Sequence, residues 1–362
     1  MRIASVGQAF PDHYYDQTTL VAAFEEHWGG RLFNPARLGM LHRNVQVGGR
    51  HLALPMEEYR SLESFTDAND AFIRCGLEVG ADAIVDALDL AGLTPDEIDH
   101  LFFVSVTGVS TPSLDAMLAN RLELRSDMKR TPIFGLGCVA GAAGVARAAD
   151  YLRAFPQDVA VLLSVELCSL TLQRRDLSIP NLIASGLFGD GAAAVVMTGA
   201  DRAQTGAAGD ADPSNGWPGP RVVATRSTFY RDTEDLMGWK IGSDGFQIVL
   251  SADVPTVVGE RIRGDVDGFL EDHGLARDDI SVWLSHPGGP KILEAMETAL
   301  ELPTDALART WRSLAEIGNL SSASVLMVLR EALLEERPEP GAWGLMLAMG
   351  PGFCSELVLL RW

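Results

Sequence analysis

Two kinds of apolar patterning alternate along this chain. Short apolar runs bounded by turn residues read as buried strands: Leu101–Ser105, Thr131–Phe134, Val159–Val165, Ala192–Met197, Ile280–Ser285, Trp343–Met349 and Glu356–Leu360. An Ala-rich segment from Cys138 through about Arg153, and an apolar one from Ala323 to about Leu334, read as helices. The opening Met1-Arg-Ile-Ala-Ser-Val reads as a first strand rather than a signal peptide. Strands alternating with long helices predict an α/β architecture.

The pattern occurs twice. Gly92-Leu-Thr-Pro-Asp-Glu-Ile-Asp99 precedes one strand, and Gly274-Leu-Ala-Arg-Asp-Asp-Ile-Ser281 precedes its counterpart around Trp283. Ile98 lies 40 residues before Cys138, and Ile280 lies 39 before Asn319. That matched spacing outweighs chance similarity between short apolar segments. Two units are expected, 1–205 carrying Cys138 and 220–362 carrying His286 and Asn319, with both helix starts converging at a pseudo-twofold site. Between them Gly199–Pro220 is rich in Gly, Ala, Asp and Pro and reads as a solvated connection.

The chemistry concentrates at element ends. Cys138 sits in Gly135-Leu-Gly-Cys-Val-Ala-Gly141, in the first turn of its helix, where unpaired N–H groups and the helix dipole favour thiolate. A small apolar core residue is the structural alternative. His286 follows the strand Ile280–Ser285 and precedes Pro287-Gly-Gly-Pro290. Asn319 lies in Glu316-Ile-Gly-Asn-Leu-Ser-Ser322, where it could be no more than a helix cap. Cys, His and Asn, each at an element terminus beside glycine, together point to nucleophilic catalysis.

Composition removes several classes. A chain of 362 residues with 47% apolar content can bury a large core, and its net charge of −20 argues against nucleic acid as a partner. No apolar run approaches the length of a membrane span. Cys75, Cys138, Cys168 and Cys354 form no metal or disulfide pattern and fit a reduced, cytoplasmic setting. The seven histidines are scattered, so no metal is expected. Gly135-x-Gly-x-x-Ala140 also matches a permissive dinucleotide fingerprint, with Glu166 placed as a ribose-binding acid. Its mid-chain position, its short preceding strand and the cysteine at a phosphate-facing position count against that reading.

With these motifs assembled, the chain resembles the type III polyketide synthases, the chalcone-synthase-like branch of the thiolase superfamily. The resemblance runs from Arg50-His-Leu-Ala-Leu-Pro55 through Leu187-Phe-Gly-Asp-Gly-Ala192 and Gly318-Asn-Leu-Ser-Ser-Ala323 to Gly350-Pro-Gly-Phe353. It implies a five-layered αβαβα fold from two duplicated halves, a homodimer, and no cofactor beyond coenzyme A thioesters as substrates. It implies that Cys138 takes an acyl starter, with His286 as its ion-pair partner. His286 and Asn319 would stabilise the enolate of decarboxylated malonyl-CoA. Phe188 corresponds to a gatekeeper aromatic, while Thr171 and Ser321 match cavity positions. Thr111 matches the residue that a partner subunit inserts into the neighbouring cavity. Arg50 remains of a thin coenzyme A-binding basic cluster. Leu236–Ile241 resembles bacterial alkylpyrone- and alkylresorcinol-forming members and points to an aliphatic starter, unless Trp239 turns inward and restricts the cavity to short starters or malonyl. A ketoacyl-acyl-carrier-protein synthase III and a non-catalytic thiolase-fold binding protein are the alternatives; the intact triad opposes the second.

Overall fold

The computed structural model describes residues 1–31, 36–202, 219–335 and 337–362. Most of the expected connection, 203–218, therefore lies outside the described residues. The chain opens with β1 (Arg2–Ala9), β2 (His13–Asp16), α1 (Gln17–Trp28), α2 (Ala36–Asn44) and β3 (Gly49–Leu52). The long α3 (Phe65–Ala91), unanticipated in the sequence, starts at a reciprocal Ser64–Asp67 capping box and ends at left-handed Gly92. Next come β4 (His100–Val104), α4 (Leu114–Arg121), β5 (Lys129–Ile133) and α5 (Ala140–Ala154). The first half closes with β6 (Val159–Leu167), α6 (Ile179–Leu187) and β7 (Asp190–Thr198).

The second half begins with β8 (Arg221–Phe229) and a hairpin of β9 (Met237–Gly242) and β10 (Gly245–Leu250). It continues through α7 (Val254–Glu271), β11 (Ile280–Ser285), α8 (Pro290–Leu300) and α9 (Ala308–Ile317). It ends with α10 (Ser324–Leu334), β12 (Trp343–Gly350) and β13 (Cys354–Arg361).

The main sheet runs β11-β12-β13-β8-β1-β7-β6-β4-β5. Read outward from the β8/β1 contact, where the only register partners are Arg2 and Arg221, the halves match strand for strand. The match fails at one edge. Where the first half places β5, the second places the amphipathic α9, followed by a single bridge between Phe188 and Asn319.

Strand parity builds the layers. In β6 the odd positions Val159, Val161, Leu163, Val165 and Leu167 pack under α3, while Ala160 and Leu162 face α5. In β12, Leu345 and Leu347 pack beneath α7 and α8, and Met346 and Ala348 face α5 and α10. Helices α5 and α10 thus form a middle layer with a sheet half on either side and helices outside both, an αβαβα stack. The middle layer is tight. A Cβ on Gly141 would stand 2.2 Å from the Ser322 carbonyl oxygen, so only glycine lets the two helix starts approach this closely.

Candidate active site

Cys138 occupies a short 3-10 turn, Gly137–Val139, that leads into α5. It is 8% exposed, and its Sγ lies 3.6 Å from the Ser321 Oγ. Burial pushes the thiol up to about 12, the nearby Glu166 carboxylate adds to the rise, and the Ser321 hydroxyl offsets only part of it. Desolvation of the enclosed sulfur thus works against the thiolate that the helix start favours.

His286 ends β11 and is tied down by its backbone, with its N–H donating to the Leu347 carbonyl at 3.0 Å. Burial alone pulls its imidazole down to about 3, and its Nδ1 has no hydrogen-bond partner among the described residues. Enclosure thus favours the neutral ring and works against an ion pair with Cys138. A neutral imidazole can accept the thiol proton or donate a single N–H.

Asn319 is fixed by the sequence around it. Gly318 adopts φ +75°, and a Cβ there would lie 2.8 Å from the Leu187 carbonyl. The Asn319 N–H donates to that carbonyl at 2.9 Å, and the Asn319 carbonyl accepts from Gly189 at 3.0 Å. Its Oδ1 accepts from the Ser321 backbone at 2.8 Å, which leaves Nδ2 as the group able to donate to a ligand. Ser321, in contact with the cysteine, holds φ +48°, a strained region for a residue with a side chain.

These parts meet around Leu187 and Phe188. The Phe188–Asn319 bridge joins them to the start of α10, and Gly289 of the histidine loop lies against the Leu187 side chain. A cavity of about 410 Å³ is lined by Phe188, Thr171, Trp239 and Arg50, uniting four of the anticipated pocket residues. Thr171 donates to the Cys168 carbonyl at 2.7 Å, which sets its side chain. Trp239 stands directly across the hairpin ladder from Ile248, which also lines the cavity. Thr111 stands apart from it, exposed in the loop between β4 and α4.

Arg50 departs from its expected role. It is 1% exposed, bonded through Nη2 to the Ser185 carbonyl at 2.5 Å. A side chain so enclosed belongs to the cavity wall and not to the outer surface of the protein.

Two buried polar groups went unrecognised in the sequence. Glu166 and Ser164 sit at the even, inward-facing positions of β6 and both reach Ser322, the Ser164–Ser322 contact measuring 2.8 Å. Glu166 also accepts from the Thr107 hydroxyl at 3.0 Å and the Val106 N–H at 3.1 Å. Its carboxyl is pushed up to about 7 by burial. A glutamate inside the otherwise apolar run Val159–Leu167 was the available signal, here spent on the dinucleotide reading. Along the cavity wall, Tyr59 bonds Ser169, whose hydroxyl donates to Asp190; Asp190 also accepts from Ala53 at 2.6 Å and the Ser169 N–H at 2.7 Å.

Comparison with known proteins agrees with this arrangement. The N-terminal domain of chalcone and stilbene synthases matches residues 41–202, and the C-terminal domain matches 221–362. A 1,3,6,8-tetrahydroxynaphthalene synthase of Streptomyces peucetius subsp. caesius is 53% identical over 360 residues, spanning 99% of this chain and 93% of that protein. A putative chalcone synthase of Bacillus subtilis is 36% identical over 366 residues, spanning 99% and 98%. The crystal structure of the tetrahydroxynaphthalene synthase of Streptomyces coelicolor A3(2), a bacterial type III polyketide synthase, superposes with a TM-score of 0.91 at 30% identity, covering 100% of this chain and 99% of the other.

Proposed function

The chain belongs to the chalcone and stilbene synthase family and is a type III polyketide synthase, and on that premise we propose that it condenses malonyl-CoA alone into a hydroxylated aromatic of the tetrahydroxynaphthalene kind. A single-condensation ketoacyl synthase is thereby set aside. Cys138 passes its proton to His286 as it attacks the starter thioester, and coenzyme A thiol leaves. Loss of CO2 from a malonyl thioester then generates an enolate, whose oxygen takes hydrogen bonds from His286 and the Asn319 amide. The enolate carbon attacks the acyl group on Cys138, lengthening the chain by two carbons and expelling the sulfur as thiolate, which is free to take the next acyl group directly or regains a proton from water. Thioesters supply all the activation this sequence needs, so no metal or organic cofactor is proposed.

The observation that carries the choice of starter is Trp239, whose bulky ring lines the cavity beside its cross-strand neighbour Ile248, where it takes up volume that a long starter chain would need. The product named in the 53% identical relative points the same way, because its carbons can all come from two-carbon malonyl-derived units. A second reading, an aliphatic starter with an alkylpyrone or alkylresorcinol product, draws on Leu20, Ala23, Phe24 and Leu172 in the same cavity wall. Incubation with malonyl-CoA as sole substrate, followed by product mass, decides between them. An aromatic pentaketide is expected; product only when an acyl-CoA of six or more carbons is added would overturn the reading.

We also propose a cytoplasmic homodimer, supported by four free cysteines, by the outer edge of β5, which pairs with no strand among the described residues, and by exposed Phe134 beside it. Among the described residues no helix is long and apolar enough to cross a membrane. Sedimentation equilibrium should give twice the chain mass; an active monomer would defeat the dimer.

A further inference from the structure

The cavity wall contains a charge without its full complement of partners. Arg50 Nη2 is bonded, but Nε and Nη1 have no hydrogen-bond partner among the described residues. Asp190 is the nearby carboxylate, yet its oxygens are already engaged by Ala53 and Ser169. A buried guanidinium left two bonds short is costly unless a ligand supplies the missing acceptors. The geometry offers a place for one, since Arg50 lines the same cavity as Tyr59, Ser169, Cys168 and Phe188. Cys168, another residue of this wall, lies within electrostatic reach of both Cys138 and Asp190, which ties the wall to the nucleophile.

We infer that Arg50, flanked by Tyr59 and Ser169, recognises a carboxylate carried at the far end of the acyl chain on Cys138, and so selects starters that bear a free carboxylate, malonyl among them. A guanidinium fork suits a carboxylate because it offers two parallel N–H donors, and enclosure strengthens the pairing. This inference rests on the reading that the cavity holds the growing acyl chain. It makes Arg50 a specificity residue for the acyl group, in place of the nucleotide contact expected from sequence.

The test compares succinyl-CoA with butyryl-CoA, which have equal chain length but differ in the terminal charge. Loading of Cys138 is followed by intact-protein mass and read as the succinyl-to-butyryl ratio, so that any general loss of activity cancels. The wild-type protein should favour succinyl, and Arg50→Gln should lower the ratio about 10- to 100-fold, the loss expected for hydrogen bonds to a charged group. Arg50→Lys, which keeps the charge without the fork, should fall between the two. A wild-type preference for butyryl, which needs no variant to fold, overturns the inference, as does an unchanged ratio in soluble Arg50→Gln. An aromatic product from malonyl-CoA alone together with no succinyl preference leaves the proposed function standing and removes only the role of Arg50. The reverse result removes the malonyl-only reading and keeps Arg50.

Discussion

The starts of α5 and α10 are duplicates placed back to back, and they differ in what they present. Each helix is entered through a 3-10 turn, Gly137–Val139 in one and Ser321–Ala323 in the other. The first turn is preceded by β5 and carries a single enclosed thiol. The second is preceded by α9, anchored through the Phe188–Asn319 bridge, and carries an amide and three serine hydroxyls, Ser321, Ser322 and Ser324. Polar bonding is concentrated on one side: Glu166 and Ser164 both serve Ser322, while among the described residues Ser321 is the one side-chain hydrogen-bond partner of the Cys138 sulfur. The same scaffold thus provides a nucleophile with few polar ties and an oxygen-binding turn held by a hydrogen-bond network. The division fits a reaction whose sulfur must gain and lose an acyl group while the enolate site stays fixed.

If that division holds, the two starts should fail in different ways. Cys138→Ala should abolish condensation, a loss of at least about 10³-fold because the covalent intermediate disappears. Decarboxylation of malonyl-CoA should survive, since its enolate is held by His286 and Asn319. Asn319→Ala should do the opposite, slowing decarboxylation by about 10²- to 10³-fold, as removing one oxyanion donor does, while acylation of Cys138 continues. Assays of CO2 release and of intact-protein acylation on both variants separate the two. Equal damage to both steps in Asn319→Ala would mean that its amide merely caps the turn.

The division was legible in sequence to a limited depth. Spacing placed Cys138 and Asn319 at equivalent helix starts because a buried α/β repeat tolerates little change in element length. The same spacing hid the exchange of β5 for α9, since a strand with its loop and a helix can span equal residue counts. A helix-start argument counts one favourable local charge and carries no sign of the enclosure that pushes the Cys138 thiol upward. Arg50 was assigned to the nucleotide for a related reason: a basic residue in sequence carries no sign of whether it lies at 1% exposure. Glu166 was visible as a charge in a buried strand, but its partner Ser322 lies 156 residues away, beyond any local pattern.

The smallest effect concerns Glu166, which acts on the second helix start through Ser322 and does not hydrogen-bond the cysteine. Its carboxyl ionises at about 7 in the fold against an ordinary value of 4.5. Between those two pH values the folded protein holds a proton that the unfolded chain has released, so stability falls as pH rises across that window and levels off above it. The amount at stake is on the order of 3 kcal/mol at high pH. Glu166→Gln is neutral at every pH, keeps one oxygen for the Thr107 hydroxyl and Val106 N–H, and places an amide N–H toward the Ser322 hydroxyl, which can turn to accept it. It should therefore lose this part of the pH dependence, gaining stability over the wild type at pH 8 but little at pH 4. Other carboxylates tilt both curves alike, so the quantity to measure is the difference between variant and wild-type unfolding free energies across that range. Turnover should change by less than about tenfold, because a positioning residue acts only by shifting the turn it holds. A difference that does not vary with pH would mean that Glu166 is already ionised in the folded protein near pH 5, and the bonded side of the comparison would then rest on a charged rather than a neutral hydrogen-bond network.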